Sequence, residues 1–279
     1  MSYKSIVVHL DTSLRAQTQL EIALKLATHS NAHLIGLFAA FNPDPRAFHV
    51  MAGSAEYYAQ HELIRQQKRA GIERLFHAEL ERAKIQGEWL VASGDANDTV
   101  SRWARCADLV VIGQDDPGDP ESFVADQFPE NVILSSGRPV LVIPYAGTFT
   151  TIGQRIMVAW DGSREAARAV HDALPLLKAA KRVVVVTING LRGESAGGPI
   201  PGADIATALA RHGASVEVQD IEGVKDVPVG EMLLERIDDV SADLVVMGGY
   251  GHTRWRELML GGATRTLLGS MTVPVLMSH

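Results

Sequence analysis

The segment Gly248-Gly-Tyr-Gly251-His-Thr-Arg-Trp-Arg-Glu-Leu-Met-Leu-Gly261-Gly262-Ala263-Thr264 carries the plainest chemistry in this chain, a place for phosphate. Gly248 and Gly251 have no Cβ, so the backbone there leaves room for a ligand to approach closely. Gly261 to Thr264 then open a segment of helical period. The first N–H groups of a helix have no partner within it, and its dipole favours an anion. His252, Arg254, Arg256 and Arg265 add positive charge within a few residues. A glycine-rich stretch can also simply reverse the chain. An apolar strand before it and a helix after it favour phosphate binding.

Other chemical groupings are weaker. Gly193-Glu-Ser195-Ala-Gly197 has the letters of a hydrolase nucleophile elbow. It lies in a long loop with Gly198, Pro199 and Pro201, not in the tight strand–turn–helix such an elbow needs. His29 and His33 are four apart but straddle a helix end, and no carboxylate partner is evident. His61-Glu62 lacks the second histidine of a zinc helix. Trp160 and Trp255 could stack on a base, although aromatic residues beside loops usually pack. The single cysteine, Cys106, excludes a disulfide framework and any paired-cysteine site, and is expected to be inert on a buried helix face. Asp115, Asp116, Asp119 and Glu121 suggest a cation site or, with Pro117, Gly118 and Pro120 among them, a solvated turn; the turn is the preferred reading.

These residues depend on elements that the chain spells out twice. Lys4-Ser-Ile-Val-Val-His-Leu-Asp11-Thr-Ser13 parallels Arg155-Ile-Met-Val-Ala-Trp-Asp161-Gly-Ser163. Ala107-Asp-Leu-Val-Val-Ile-Gly113 differs from Ala242-Asp-Leu-Val-Val-Met-Gly248 at one position. Arg138-Pro-Val-Leu-Val-Ile-Pro144 is echoed by Val273-Pro-Val-Leu-Met-Ser-His279. Duplication on this scale means two domains, placed at 1–146 and 152–279 and joined near Tyr145–Gly153. Within each, Val/Ile/Leu runs alternate with helical periods, as a parallel sheet covered on both faces requires.

In the second half, strands are expected near 154–160, 182–189, 215–221, 243–248 and 273–277. Helices fall near 163–180, 203–212, 228–240 and 261–271, with Ser163 capping the first. The first half has the same order with a longer helix near 54–86, whose apolar stripe Leu63, Ile64, Ile72, Leu75, Phe76 and Leu80 reads as core or inter-domain contact. Such alternation gives α/β domains with open, doubly wound sheets. A ligand then sits beyond the strand C-termini, where strand order reverses. Strands 139–143 and 273–277, terminal in their repeats and strongly apolar, are expected to pair with each other.

Composition narrows the function further. The 279 residues carry 26 basic and 33 acidic side chains, a net charge of −7, which argues against a general nucleic-acid binder. No apolar run approaches the ~20 residues of a membrane span, and Asp11 interrupts the N-terminal apolar run too early for a secretory signal. A cytoplasmic protein without membrane contact is expected.

The spacing Gly-x2-Gly-x9-Gly, after a strand ending Met247-Gly248 and before the final Pro-Val-Leu strand, resembles the nucleotide-binding signature of the universal stress protein family. The resemblance spans essentially the whole chain in two copies, as in a tandem-domain member. It implies two open sheets of strand order 3-2-1-4-5, packed as an internal pseudo-dimer, with a homodimer of chains as a further option. Many members bind ATP; others lack the motif and do not.

Carried over by position, Asp161 matches the acidic residue beside the ribose and adenine, and Ala159 and Trp160 the two residues before it. Ile188 matches the position whose backbone faces the adenine. Met247, Gly248 and Gly251 match the first phosphate-side loop; Gly261, Ala263 and Thr264 match the second. Gly262 departs from a pattern that commonly has Ser or Thr there. The missing hydroxyl removes a hydrogen bond worth ~1 kcal/mol, while backbone donors remain. The first half departs altogether, with Asp116 in the place of Gly251, and Asp126 and Gln127 in the places of Gly261 and Gly262.

The expected protein is therefore a stress-response binding or signalling protein. It holds one ATP or other adenine nucleotide in its second half, with Mg²⁺ arriving on the phosphates and no dedicated metal site. No general base paired with a nucleophile is visible, so no catalytic residue is assigned and ATP turnover is expected to be absent or slow. Two alternatives stay open: a nucleotide-hydrolysing enzyme using Asp161 or His252, and a scaffold for a protein or a non-nucleotide ligand.

Overall fold

The computed structural model describes residues 2–39, 55–92, 94–116, 118, 127–188, 202–222, 226–251 and 262–279, with side chains from residue 63 onward in the second segment. The chain divides into two compact units, Tyr3–Ser136 and Gly137–His279. Gly261, His252, Arg254, Trp255 and Arg256 lie outside the described residues, as do Asp126, Asp119, Glu121 and the Gly193–Gly197 run.

In Tyr3–Ser136 the elements run β1 (Ser5–Leu10), α1 (Ala16–Ser30), β2 (His33–Phe38), α2 (Ala55–Ala83), β3 (Gly87–Val91), α3 (Ala96–Ala104), β4 (Leu109–Gly113) and α4 (Phe128–Ser136). The strands are parallel in the order β3-β2-β1-β4, with Val7 opposite Ile35 on one side and Val110 on the other. Ile6, Val7, Val8, Val110 and Val111 are fully buried, because both faces of the sheet are covered and water reaches neither. Helix α2 contributes less to this core than its stripe suggests. Phe76 and Leu80 are buried, but Leu63 and Ile64 are exposed. Gly36 makes the seat for Phe76: a Cβ there would lie 2.7 Å from Phe76 Cε2 and 2.9 Å from Trp89 Cε3.

In Gly137–His279 the elements are β5 (Val140–Ile143), β6 (Arg155–Ala159), α5 (Arg164–Asp172), α6 (Leu174–Ala179), β7 (Arg182–Ile188), α7 (Ala203–Arg211), β8 (Val216–Ile221), α8 (Val229–Asp239), β9 (Leu244–Gly248), α9 (Gly262–Ser270) and β10 (Val275–Ser278). Strand order is β8-β7-β6-β9-β10-β5. The first five are parallel in the order 3-2-1-4-5 of an open doubly wound sheet. β5 joins them antiparallel, with Leu141 opposite Leu276, so this strand of the first repeat belongs to the second compact unit.

The helix expected over 163–180 is two helices. Pro175 has no N–H to continue the ladder, and the chain turns at Ala173 before α6 begins. The repeated Ala-Asp-Leu-Val-Val sequences have a structural purpose in both units. Asp108 Oδ2 accepts from the amides of Lys4 and Ser5 at 2.7 and 3.1 Å. Asp243 accepts from those of Gln154 and Arg155 at 3.1 and 2.9 Å. Each carboxylate thus ties the start of the central strand to the strand beside it. Among the described residues, no helix is long and apolar enough to cross a membrane.

Candidate functional site

In Gly137–His279 the strand order reverses at β6, which has β7 on one side and β9 on the other. The crevice this creates opens beyond the strand C-termini. Ala159, the last residue of β6, is paired with Val186 and with Met247; Met247 and Gly248 are paired with Met277 and Ser278. The Trp160 amide donates to Val186 O at 2.9 Å, continuing the pairing past the strand end. Ala159, Trp160, Met247 and Gly248 therefore meet at one edge, and Ile188 ends the neighbouring β7 at that edge. Ala159, Trp160 and Ile188 are half-buried.

Beyond β6 the chain enters α5 through a tight turn. Gly162 takes φ +73°, a left-handed conformation that favours glycine. The exposed Asp161 accepts from the Ser163 amide at 2.9 Å, and Ser163 Oγ caps the helix by accepting from Ala166 N at 3.1 Å. The cap stands as expected from the sequence.

The glycines have different physical reasons. A Cβ on Gly248 would fall 2.5 Å from Ala166 N and 2.8 Å from the Glu165 carbonyl carbon, so this glycine lets β9 and α5 touch. A Cβ on Gly251 would meet Glu165 Oε2 at 2.9 Å and Ser163 Oγ at 3.3 Å. At Gly262, in contrast, nothing among the described residues lies within 4 Å of the Cβ position. It opens α9 with the half-buried Ala263 and the buried Thr264, while Arg265 is exposed. The Gly248–Gly251 loop is joined to the first turn of α9, because the Tyr250 amide donates to Thr264 Oγ1 at 3.4 Å. Gly230 allows α8 to support α9, since a Cβ on it would stand 2.5 Å from the Thr266 Cβ.

Sequence reasoning missed three contributors. Glu165, in the first turn of α5, is buried against the Gly248–Gly251 loop and pairs through Oε1 with Arg164 Nε at 2.8 Å. The Gly249 amide donates to Ser278 O at 2.9 Å, and His279 Nδ1 lies 3.1 Å from Gly249 O. Ser278 Oγ donates to Asp172 Oδ2 at 2.9 Å, and Arg168 Nε reaches the same oxygen at 3.1 Å. β10 and α5 thereby hold the loop from beneath. A periodicity argument could have found Glu165, which lies one turn beyond Asp161; the β10 contacts required the sheet order.

The corresponding edge of Tyr3–Ser136 is built differently. Asp11 repeats the turn, accepting from the Ser13 amide at 2.9 Å. The place of Ala159 is taken by His9, however, and that of Ala263 by Phe128. Both are buried, with ring centroids 4.9 Å apart, and His9 Nε2 lies 2.8 Å from Ala39 O. Two rings thus meet at positions where the other unit has alanines. Gly113 faces the buried amide of Gln19. Asp116 closes a turn by accepting from the Gly118 amide at 2.8 Å, and Gln127 sits before α4 with φ +61°. Arg15 occupies the position that Glu165 has in the other unit. Among the described residues, no group of three or more His, Cys, Asp or Glu side chains is arranged to hold a metal ion. Cys106 is exposed in the turn after α3, not on a buried helix face, because α3 ends at Ala104.

The fold defines an α/β protein with open, doubly wound parallel sheets. The model of the universal stress protein family matches residues 2–144 and again 153–279, and the chain belongs to that family. Universal stress protein Slr1230 of Synechocystis sp. is 28% identical over 176 residues, 61% of this chain and 57% of that protein, so the match spans less than two thirds of that relative's length. A universal stress protein from Archaeoglobus fulgidus DSM 4304 superposes with a TM-score of 0.75 at 17% identity, covering 98% of this chain and 95% of its own. A functionally unknown protein from Pseudomonas aeruginosa PAO1 gives 0.59 at 15% identity, covering 99% and 92%. At those identities the structural likeness establishes the fold.

Proposed function

We propose that this protein binds one adenine nucleotide per chain, ATP with its Mg²⁺, in the domain 152–279, and acts in a cytoplasmic stress response as a binding or signalling protein. The observation that carries the reading is the convergence of Ala159, Trp160 and Met247–Gly248 on the reversal point of the sheet. The Tyr250–Thr264 hydrogen bond joins the loop beside it to the start of α9. In this reading Asp161, Ala159, Trp160 and Ile188 serve the nucleoside. Met247, Gly248, Gly251, Gly261, Gly262, Ala263 and Thr264 serve the phosphates. The residues suit such a ligand: the open Cβ position of Gly262 and the first turn of α9 leave room and backbone donors for an anion.

The motif supplies binding groups and no catalytic residue is assigned, so turnover is expected to be slow. The domain 1–146 is assigned no nucleotide, since His9 and Phe128 fill its equivalent space. Calorimetry of the full chain with Mg²⁺-ATP tests the reading, together with mass spectrometry of small molecules released from the purified protein. One nucleotide per chain, persisting as ATP over hours, is the expected result. Accumulating ADP or AMP would favour a hydrolase, and no bound nucleotide would favour a scaffold.

A further inference from the structure

Glu165 places a carboxylate against the loop that the preceding reading gives to phosphate. It is 4% exposed, and its Oε2 lies 2.9 Å from the Cβ position of Gly251. It sits in the first turn of α5. Its ion-pair partner Arg164 has a side chain 82% exposed, so solvent screens that guanidinium and it neutralises Glu165 only in part. A buried charge is screened much less than a surface one. A polyphosphate entering this loop therefore meets the Glu165 carboxylate beside Gly251, and the repulsion from that one group grows with the charge the ligand brings. A divalent cation on the phosphates cancels much of it.

We propose that Glu165 is a specificity-determining residue that makes the site select the Mg²⁺-neutralised triphosphate over the free polyanion. The inference rests on the nucleotide assignment above. Cation dependence then comes from the protein's own charge and needs no dedicated metal ligand.

The test is calorimetric titration of the full chain with ATP, in excess Mg²⁺ and again in EDTA. Wild type, Glu165→Gln and Arg164→Ala are compared, with a urea melt to confirm folding. Glu165→Gln is expected to tighten binding in EDTA about tenfold and to change it less than about threefold with Mg²⁺, narrowing the cation dependence. Arg164→Ala, which removes an exposed side chain but leaves the buried Glu165 without that partner, should weaken binding in EDTA, and should have no effect once Glu165 is Gln. Should wild type and Glu165→Gln bind with equal cation dependence, the charge filter is overturned and the nucleotide reading stands. Binding by neither protein under either condition overturns both.

Discussion

Gly248 meets Ala166 so closely that a Cβ on the glycine would stand 2.5 Å from the alanine's amide nitrogen. The obstacle is helix backbone, which cannot rotate aside as a side chain could. Gly248→Ala is expected to cost about 1–3 kcal/mol of stability through overpacking, read as a lower urea midpoint. Gly262→Ala, with nothing among the described residues within 4 Å of its Cβ, should leave the midpoint unchanged or raise it slightly. Equal effects at the two positions would contradict this packing account.

The open position at Gly262 also allows the missing hydroxyl to be restored. Gly262→Ser should tighten Mg²⁺-ATP binding by roughly fivefold to tenfold, as a hydrogen bond worth about 1–1.4 kcal/mol would, without a change in melting temperature. Calorimetry and thermal denaturation check both halves of the expectation.

Asymmetry between the units makes a stoichiometric prediction. Gly251→Asp should abolish binding, because its Cβ meets Glu165 Oε2 at 2.9 Å and it brings a second carboxylate. Asp116→Gly should leave the stoichiometry at one, since the His9–Phe128 ring pair still occupies the equivalent space. A second equivalent of nucleotide on Asp116→Gly, or undiminished binding by Gly251→Asp, would be incompatible with the assignment.

Asp243 accepts two backbone N–H groups at the start of β6. Asp243→Ala leaves both donors without that acceptor and should destabilise the protein by roughly 1–3 kcal/mol. Asp108→Ala is expected to do the same for the amides of Lys4 and Ser5. Hydrogen exchange should locate each loss at the start of its own central strand.

Arg182 and Glu217 pair across β7 and β8. The hydrogen bond from Arg182 holds the Glu217 carboxyl below the usual carboxylate range; burial opposes it, and the charge of Arg182 adds a smaller lowering effect. A depressed folded value means that the contribution is present above the unfolded pKa of about 4.3 and is lost as pH falls through the folded one. Both side chains are nearly half exposed, so the contribution is small. Urea midpoints of wild type and Glu217→Gln should differ slightly near neutrality and converge in acid; a gap that widens in acid would reverse the sign.

The sequence by itself determined the duplication, the strand–helix alternation and the residues at the strand C-termini. Each is written in local pattern: apolar runs such as Leu244–Met247, Ser163 before a helix, and Gly248 and Gly251 where the chain must come close to something. What Gly248 comes close to was decided by tertiary structure. Its missing side chain serves contact with Ala166, a relationship set by how α5 lies on β9 and not by neighbours in the chain. The same holds for Glu165, whose burial beside Gly251 depends on that packing, and for Ser278 and His279, which reach Asp172 and Gly249 because β10 lies beside β9. His9 and Phe128 are 119 residues apart, and nothing local announces that their rings would meet. Local periodicity fixes which face of an element is apolar. Only the packing of distant elements fixes which side chains share a space.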